Sequence, residues 1–406
     1  GAEAQEGAEA QEGAEAQEWY ATCNFTDGNK CPLTDMSNNV TLIYPGGKTT
    51  CLESPYGFLV NRGDPDKLLI FFQGGGACWD EQSYELNECI KDLGSAQLQT
   101  ATYPNGTGRG IMDRSDPLNP FRRHTIVQIL YCSGDALVGN TTRDWSGKNV
   151  TQAGYFNAMA TVQWALDNVG CSPLTDFAIS GCSAGSLGTQ AWSHYLLGAF
   201  KYEKAESIAD SYAGVFPPGT QGPTIHDFGA CNEPLWTPAL LEDCKNKELT
   251  VQQMFSLAME AFPNVKFGHI QSKEDIVQRL FYSSIALSFG QTLNMIETGH
   301  ALYTATNKIF EGYTTHPNYA NYYVDGDHHC FTPFSLWTSA GTTGPRTGSP
   351  TGIPMIHEWA DDFLTSGPIG PSAECLGSLK ETPSNGFFGG TDFCYAKLMP
   401  KTISVE

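Results

Sequence analysis

The chain has 406 residues, of which 40% are hydrophobic and 12% aromatic, and this is ample material for a buried core. Its formal net charge of −21 makes nucleic acid an unfavourable partner, because phosphate repels an acidic surface. No apolar run is long enough to span a membrane and no signal peptide precedes the body, so we expect a globular chain that begins after processing.

The first predicted element is a low-complexity tail, residues 1–18, made of three copies of Gly-Ala-Glu-Ala-Gln-Glu. Recurrent glycine and the lack of large apolar side chains prevent packing, so we expect the tail to be solvated and at most partly helical. An acidic tether or an oligomerisation segment is the alternative. Residues 19–406 are predicted to form a single domain, whose first part, 19–59, is an extension attached by disulfides and containing the alternating segment Val40–Tyr44.

Two continuous apolar runs follow, at 67–73 and 124–131, and each is typical of a buried parallel strand. The first run ends in a glycine triplet that exposes backbone N–H groups, so Gly75 and Gly76 are candidates for an oxyanion hole. A flexible connector is the alternative for this triplet. After the second run, Asp135 either orders an active-site loop or caps a turn, and turn capping is the more common role.

The centre of the chain is a strand that enters a helix directly through small residues. A helix over 150–169 is predicted to precede this strand. The pattern Gly181-x-Ser183-x-Gly185 then predicts a nucleophile elbow, because the glycines leave room for a serine in a strained conformation. The helix that begins at Ala184 directs its free N–H groups at the same point. Alternatively, the glycines only form a tight turn.

The second half of the chain alternates predicted strands and helices around one insertion. In chain order these are a strand at 207–213, a Pro-, Gly- and Cys-containing insertion at 217–249, a helix at 251–261, a strand at 265–272 and a helix at 276–287. The insertion is expected to act as a lid. Asp275 is the candidate triad acid because it directly follows a late strand, and Glu274 is its rival. Both acids could also simply start the helix.

A candidate general base lies in the loop after residues 318–324, where His328 and His329 are adjacent. The residue types alone separate these two histidines poorly. The order Ser183, Asp275, His329 is the nucleophile, acid and histidine order of α/β-hydrolases. We therefore predict an α/β-hydrolase fold, with a mostly parallel central sheet flanked by helices, disulfide-stapled extensions and a lid insertion.

Thirteen cysteines are scattered along the chain, and this number predicts disulfides and an oxidising compartment. Their spacing lacks the paired C-x-x-C pattern of zinc sites, so no metal is expected. The odd count leaves at least one thiol unpaired within the chain. We predict that this thiol belongs to Cys182, because few partners can reach a residue inside the tight elbow.

Five N-x-[ST] sequons are potential glycosylation sites and favour the same secreted compartment if the source is eukaryotic. They lie at Asn24, Asn39, Asn105, Asn140 and Asn149.

Five segments together resemble the pectin acetylesterase/Notum family of secreted α/β-hydrolases, over about residues 50–330. They are Phe72-Gln-Gly-Gly-Gly-Ala-Cys-Trp79, Tyr131-Cys-Ser-Gly-Asp135, Gly181-Cys-Ser-Ala-Gly185, Ile270-Gln-Ser-Lys-Glu-Asp-Ile-Val-Gln278 and His329-Cys330. The resemblance implies that the glycine-rich loop and Ala184 form the oxyanion hole. It also implies that Asp275, in an Asp-x-x-Gln context, is the acid and that His329, which precedes a cysteine, is the base.

Three residues depart from the family pattern. Gln73 stands where the family often has Glu, Ala77 replaces a bulky aromatic residue, and Ser186 replaces a glycine. These departures bear on the identity of the substrate more than on the chemistry.

The expected function is that of a secreted serine carboxylesterase, extracellular or in the cell wall, that removes an acyl group, foremost acetyl, from a polysaccharide. Its partner is thus an acylated polysaccharide or another ester, and neither a metal nor an organic cofactor is implied. Two alternatives remain open at this point. One is a hydrolase of long-chain acyl (lipid) esters, and the other is a non-catalytic extracellular binding protein with a hydrolase fold.

Overall fold

The computed structural model describes residues 21–36, 40–99, 108–232, 235–292, 299–339 and 354–374. The repeat tail at 1–18, the sequons Asn39 and Asn105, and the cysteines at 375 and 394 lie outside these ranges.

The described strands are β1 Ala21–Asn24, β2 Val40–Tyr44, β3 Phe58–Asn61, β4 Asp64–Phe72, β5 His124–Ile129, β6 Thr141–Trp145, β7 Lys148–Gln152, β8 Asp176–Cys182, β9 Ala205–Asp210, β10 Lys266–Ser272, β11 Tyr319–Val324 and β12 Ala373–Glu374. The described α-helices are α1 Glu81–Glu85, α2 Leu93–Leu98, α3 Gly154–Asn168, α4 Ala184–Ala199, α5 Gln221–Asp227, α6 Pro238–Lys245, α7 Val251–Ala261, α8 Ile276–Ser288, α9 Gly299–Tyr313, α10 Leu336–Ser339 and α11 Ile356–Asp361. Short 3₁₀ turns lie at Leu33–Asp35, Gly110–Met112, Ala230–Asn232 and Asp362–Leu364.

A ten-stranded sheet organises the described part of the chain, in the order β1-β2-β3-β5-β4-β8-β9-β10-β11-β12. Only the β2–β3 and β3–β5 pairs of this sheet are antiparallel. From β5 to β12 every neighbouring pair is parallel, so the carboxyl ends of β4, β8, β9, β10 and β11 meet at one edge. Loops that follow these strands can therefore converge on one site.

Both faces of the sheet are covered, which explains the continuous apolar runs of its central strands. Alternate side chains of β4 point to opposite faces: Ile70 and Phe72 pack in the core formed with α3, α4 and α7, and Phe71 packs in the core formed with α10 and α11. Trp192 of α4 is completely buried, and its ring lies 6.4 Å from that of Phe72. Burying each such side chain stabilises the fold by roughly 1.5–3 kcal/mol.

The mostly parallel sheet and its flanking helices confirm the predicted α/β-hydrolase fold. Helix α7 has the predicted bounds. The helix predicted over 150–169 begins only at Gly154, because residues 148–152 pair with 141–145 as a hairpin. The strand predicted at 207–213 is instead Ala205–Asp210, and it ends there because Ser211, at φ 55°, turns the chain.

The insertion at 217–249 contains α5, a 3₁₀ turn and α6, and the Cys231–Cys244 disulfide joins its two halves. Its action as a lid stays a prediction.

Five disulfides connect described residues: Cys23–Cys31, Cys51–Cys132, Cys78–Cys89, Cys182–Cys330 and Cys231–Cys244. The prediction of a free Cys182 is therefore wrong. Parallel pairing brings the end of β8 and the loop after β11 to the same edge of the sheet, where Cys330 reaches Cys182. Among the described residues the free cysteine is Cys171, which is exposed.

Within the described ranges, every helix is too short or too polar to cross a membrane.

Candidate active site

Ser183 lies at a sharp corner between β8 and α4, with φ 61° and ψ −124°. This conformation is rare for a residue with a Cβ atom and costs about 1–3 kcal/mol. Crowding explains the glycines on either side. A Cβ atom on Gly181 would lie 2.6 Å from the carbonyl oxygen of Phe72, and one on Gly185 would collide with the same oxygen. This strained corner between a strand and a helix has the backbone form that a nucleophile elbow requires.

The glycine-rich loop after β4 passes directly beside this serine. A Cβ atom on Gly74 would lie 2.8 Å from the Cβ atom of Ser183. Further along the loop, the carbonyl of Gly75 accepts from the N–H of Ile90 at 2.9 Å, and the N–H of Ala77 donates to the carbonyl of Glu88 at 3.0 Å. No described residue accepts a hydrogen bond from the N–H groups of Gly75 or Gly76. These two donors therefore stay available near the serine.

Asp275 and His329 form a hydrogen bond at this edge, with 2.8 Å between Oδ2 and Nδ1. Asp275 is completely buried at the start of α8, where it also accepts from the backbone N–H of Gln278 at 3.0 Å and from its Nε2 at 2.8 Å. A carboxylate that is hydrogen-bonded to Nδ1 favours the neutral histidine tautomer whose proton is on Nδ1. This leaves Nε2 of His329 unprotonated, and Nε2 has no hydrogen-bond partner among the described residues.

The electrostatic surroundings favour the protonated form of His329. Burial lowers the pKa of His329, but the charge and hydrogen bond of Asp275, together with the charge of Asp210, outweigh burial and raise this pKa above its usual 6.5. An imidazolium that forms during a reaction would be stabilised by the same two carboxylates.

Asp210, at the end of β9, holds the loop that carries His329. Its Oδ2 accepts from the N–H groups of Phe331 and Thr332, at 2.7 and 2.6 Å, and from the hydroxyl of Thr332 at 2.7 Å. Its own carbonyl accepts from the N–H of Ser183 at 3.0 Å. We did not identify Asp210 from the sequence. A charged residue inside the predicted strand at 207–213 was the available signal.

Glu274 and His328, the sequence neighbours of Asp275 and His329, make contacts of their own. Glu274 is half-buried and packs against Gly299, and burial raises its pKa. His328 shares a hydrogen bond of 2.9 Å with the carbonyl of Cys330, and its ring packs edge-on against Phe331. Burial lowers the pKa of His328. Neither Glu274 nor His328 hydrogen-bonds to Asp275 or His329.

Asp135 is fully buried beside the site and does not belong to this pair. It accepts from the hydroxyl of Ser133 at 2.6 Å, from the N–H of Leu137 at 3.1 Å and from the N–H of Gly154 at 2.8 Å. Burial raises its pKa to about 6. Asp135 thus caps its own turn and also fixes the loop to the first residue of α3.

Two of the departures from the family pattern satisfy buried backbone groups. Gln73 donates from Nε2 to the carbonyl of Ala96 at 2.8 Å and accepts from the N–H of Tyr131 at 2.9 Å. An ionised glutamate could not make the first of these bonds, because it has no donor. Ser186 donates to the carbonyl of Tyr212 at 2.9 Å.

Two groups of side chains bring metal-ligand atoms within 4.8 Å of one another. The first combines His329 with Cys182 and Cys330, whose sulfurs form a disulfide and cannot act as thiolates. The second is an amino-edge cluster of His124, Asp176 and Glu206 at the opposite edge of the sheet. The ammonium groups of two lysines lie 3.7 and 3.3 Å from Oδ2 of Asp176 and oppose a metal cation there; these are Lys67 and Lys204.

A sequence model of the pectinacetylesterase family matches residues 34–285 of the chain. No curated protein sequence matches the chain significantly. Among solved structures, the chain is similar to the Wnt deacylase Notum from Drosophila, with a TM-score of 0.55 and 14% sequence identity over 81% of this chain and 93% of Notum. At 14% sequence identity, the similarity to Notum concerns the fold alone.

Proposed function

Because the chain belongs to the pectinacetylesterase family and is therefore an esterase by family, we propose that it is a serine hydrolase with Ser183 as nucleophile, His329 as base and Asp275 as acid. The observation that carries this proposal is the Asp275–His329 hydrogen bond, which leaves Nε2 of His329 unpaired at the edge where the strained serine lies. The strand order supports it, since the three residues follow β8, β10 and β11.

The proposed reaction proceeds through an acyl-enzyme. His329 removes the proton of Ser183 through Nε2 as the serine oxygen attacks the ester carbonyl, and Asp275 stabilises the imidazolium that forms. The N–H groups of Gly75, Gly76 and Ala184 hold the oxyanion, each contributing on the order of 3 kcal/mol to the transition state. The imidazolium then protonates the leaving alcohol, and water activated by the same histidine releases the acid.

The proposed substrate is a short acyl ester, foremost acetyl, on a polysaccharide. The family description supports this choice. A long-chain acyl ester stays the second candidate, and the similarity to a Wnt deacylase supports the removal of an acyl group. Secretion is supported by the disulfides and by the sequons at Asn24 and Asn149, which are both exposed. Asn140, the third described sequon, is half-buried.

Labelling with a fluorophosphonate tests the chemistry. Wild-type protein should be labelled on Ser183, and Ser183→Ala should not be labelled. An unlabelled wild type would contradict the esterase mechanism and favour a non-catalytic binding protein with this fold.

A graded panel of esters from acetyl to palmitoyl tests the substrate. Highest kcat/KM at C2 to C4, together with acetate release from acetylated pectin, supports the polysaccharide proposal. A steady rise of kcat/KM to C14 or C16 would contradict it and favour a lipid-ester enzyme.

A further inference from the structure

One disulfide joins the two loops that carry the candidate nucleophile and base. Cys182 is the residue directly before Ser183, and Cys330 is the residue directly after His329. A nitrogen of the His329 ring lies within 4.8 Å of both sulfurs. Both cysteines are buried, with exposed fractions of 4% and 5%. The covalent link therefore lies inside the site, one residue away from each reacting side chain.

The backbone around this link adopts conformations that need support. Ser183 has φ 61° and Cys330 has φ 70°, and both values are unfavourable for residues other than glycine. The N–H of Cys330 donates to the hydroxyl of Ser211 at 2.9 Å, and beyond it the chain is held by Asp210. On the other side the carbonyls of Gly326 and Asp327 accept from the N–H groups of Glu274 and Ile276, at 2.9 and 3.1 Å, and the ring of His329 is held by Asp275.

We propose that the Cys182–Cys330 disulfide is a positioning element, which fixes the separation between the hydroxyl of Ser183 and Nε2 of His329. This inference rests on the proposed function. Proton transfer requires the two atoms within hydrogen-bond reach, and a displacement of about 1 Å can lower a rate about 100-fold. Asp210 also connects the two loops through hydrogen bonds to the N–H groups of Ser183 and Phe331, but among the described residues the disulfide is the covalent connection between them.

The test compares Cys182→Ala/Cys330→Ala with a matched control, Cys23→Ala/Cys31→Ala, which removes the disulfide of the N-terminal extension beside the outermost strand β1. Both are assayed with acetyl esters at temperatures where circular dichroism shows them folded. The positioning role predicts that kcat and the rate of fluorophosphonate labelling fall about 100-fold in the first variant, with KM within about twofold of wild type. The control should keep wild-type kcat.

A purely structural disulfide would lower the melting temperature and leave kcat of the folded protein unchanged. A kcat within about threefold of wild type in folded Cys182→Ala/Cys330→Ala therefore overturns the proposal. An inactive and unlabelled wild type would instead overturn the proposed function, so the two failures are distinguishable.

If the double variant does not fold, partial reduction of the wild type decides. A phosphine converts a disulfide to two thiols and itself becomes the phosphine oxide, with the oxygen supplied by water. Alkylation and mass spectrometry then identify which disulfides have opened. Loss of activity that tracks the opening of Cys182–Cys330, with recovery when a portion that was not alkylated is reoxidised, supports the proposal. Full activity in molecules alkylated at these two cysteines overturns it.

Discussion

At the carboxyl edge of the sheet His329 lies 2.8 Å from Asp275, and at the amino edge His124 lies 3.7 Å from Asp176. Both histidines face carboxylates that are carried by central strands or follow them directly. At the carboxyl edge, Nε2 of His329 has no described partner and the strained Ser183 lies at the same edge. At the amino edge there is no comparable serine among the described residues, and His124 is only 1% exposed.

The charges of the amino-edge cluster compensate one another. Burial opposes ionisation of Asp176, but His124 and Lys204 lower the pKa of Asp176 below its ordinary value. Burial and the charge of Asp176 raise the pKa of Glu206 well above its ordinary value, which favours the protonated form of Glu206. Residue types alone thus do not distinguish the two edges. Solvent access, with 15% exposure of the His329 side chain against 1% for His124, and the strained Ser183 do distinguish them.

Ser183→Ala should have the largest effect on activity, because it removes the attacking oxygen. We expect kcat to fall by about 10⁴-fold or more with the fold intact. Glu206→Gln at the opposite edge should keep wild-type kcat. Steady-state hydrolysis of an acetyl ester measures both, and equal activity of Ser183→Ala and wild type would exclude the carboxyl edge as the reaction site.

Asp275→Asn should lower kcat by roughly 10³- to 10⁴-fold with little change in KM, because an amide at this position favours the wrong tautomer of the base. Glu274→Gln is the adjacent control and should change kcat far less. His329→Ala should abolish turnover, while His328→Ala should mainly disturb local packing. If kcat instead falls most in Glu274→Gln or His328→Ala, the acid is Glu274 or the base is His328.

Asp176→Ala should change stability and not chemistry. It removes the carboxylate that faces His124, Lys67 and Lys204, and loss of one partner from a buried ionic group costs about 3 kcal/mol. Urea unfolding followed by tryptophan fluorescence measures this loss. A kcat in the folded variant below one tenth of the wild-type value would mean that the two edges are functionally coupled.

The smallest expected effect concerns pH. His329 acts as a base only when neutral, and its pKa is raised, so kcat/KM should rise with pH through a midpoint above 6.5. Asp210→Asn removes one of the charges that raise this pKa and should shift the midpoint down, by less than about one unit. A wild-type midpoint at or below 6.5 would show that burial outweighs the carboxylates.

Local patterns in the sequence sufficed for the elements that position the site. Local structure determines two of these patterns, the apolar runs of β4 and β5 and the small residues around Ser183. The structures of these segments can therefore be predicted from the sequence. The β6–β7 hairpin was mistaken for the start of a helix, because its exposed polar residues hide the strand alternation.

Non-local features could not be derived in the same way. The partner of Cys182 is separated from it by 148 positions and depends on the order of the strands in the sheet. The roles of Asp210 and of the amino-edge cluster likewise depend on which strands are neighbours. His328 and His329 are adjacent, and apart from the family resemblance it is their different hydrogen-bond partners, the carbonyl of Cys330 and the carboxylate of Asp275, that distinguish them.

The loop closed by the Cys78–Cys89 disulfide offers a route to altered specificity. Residues 79–88 carry the short helix α1, and the disulfide together with the pairing of Gly76 with Cys89 fixes both ends of the loop. Its outer surface is solvent-facing, as the 62% exposure of Leu86 shows. Exposed residues of the segment, such as Glu81, Glu85 and Leu86, can therefore be varied in directed evolution while the buried Ser83 and Tyr84 are kept and Gly75 and Gly76 stay unaltered.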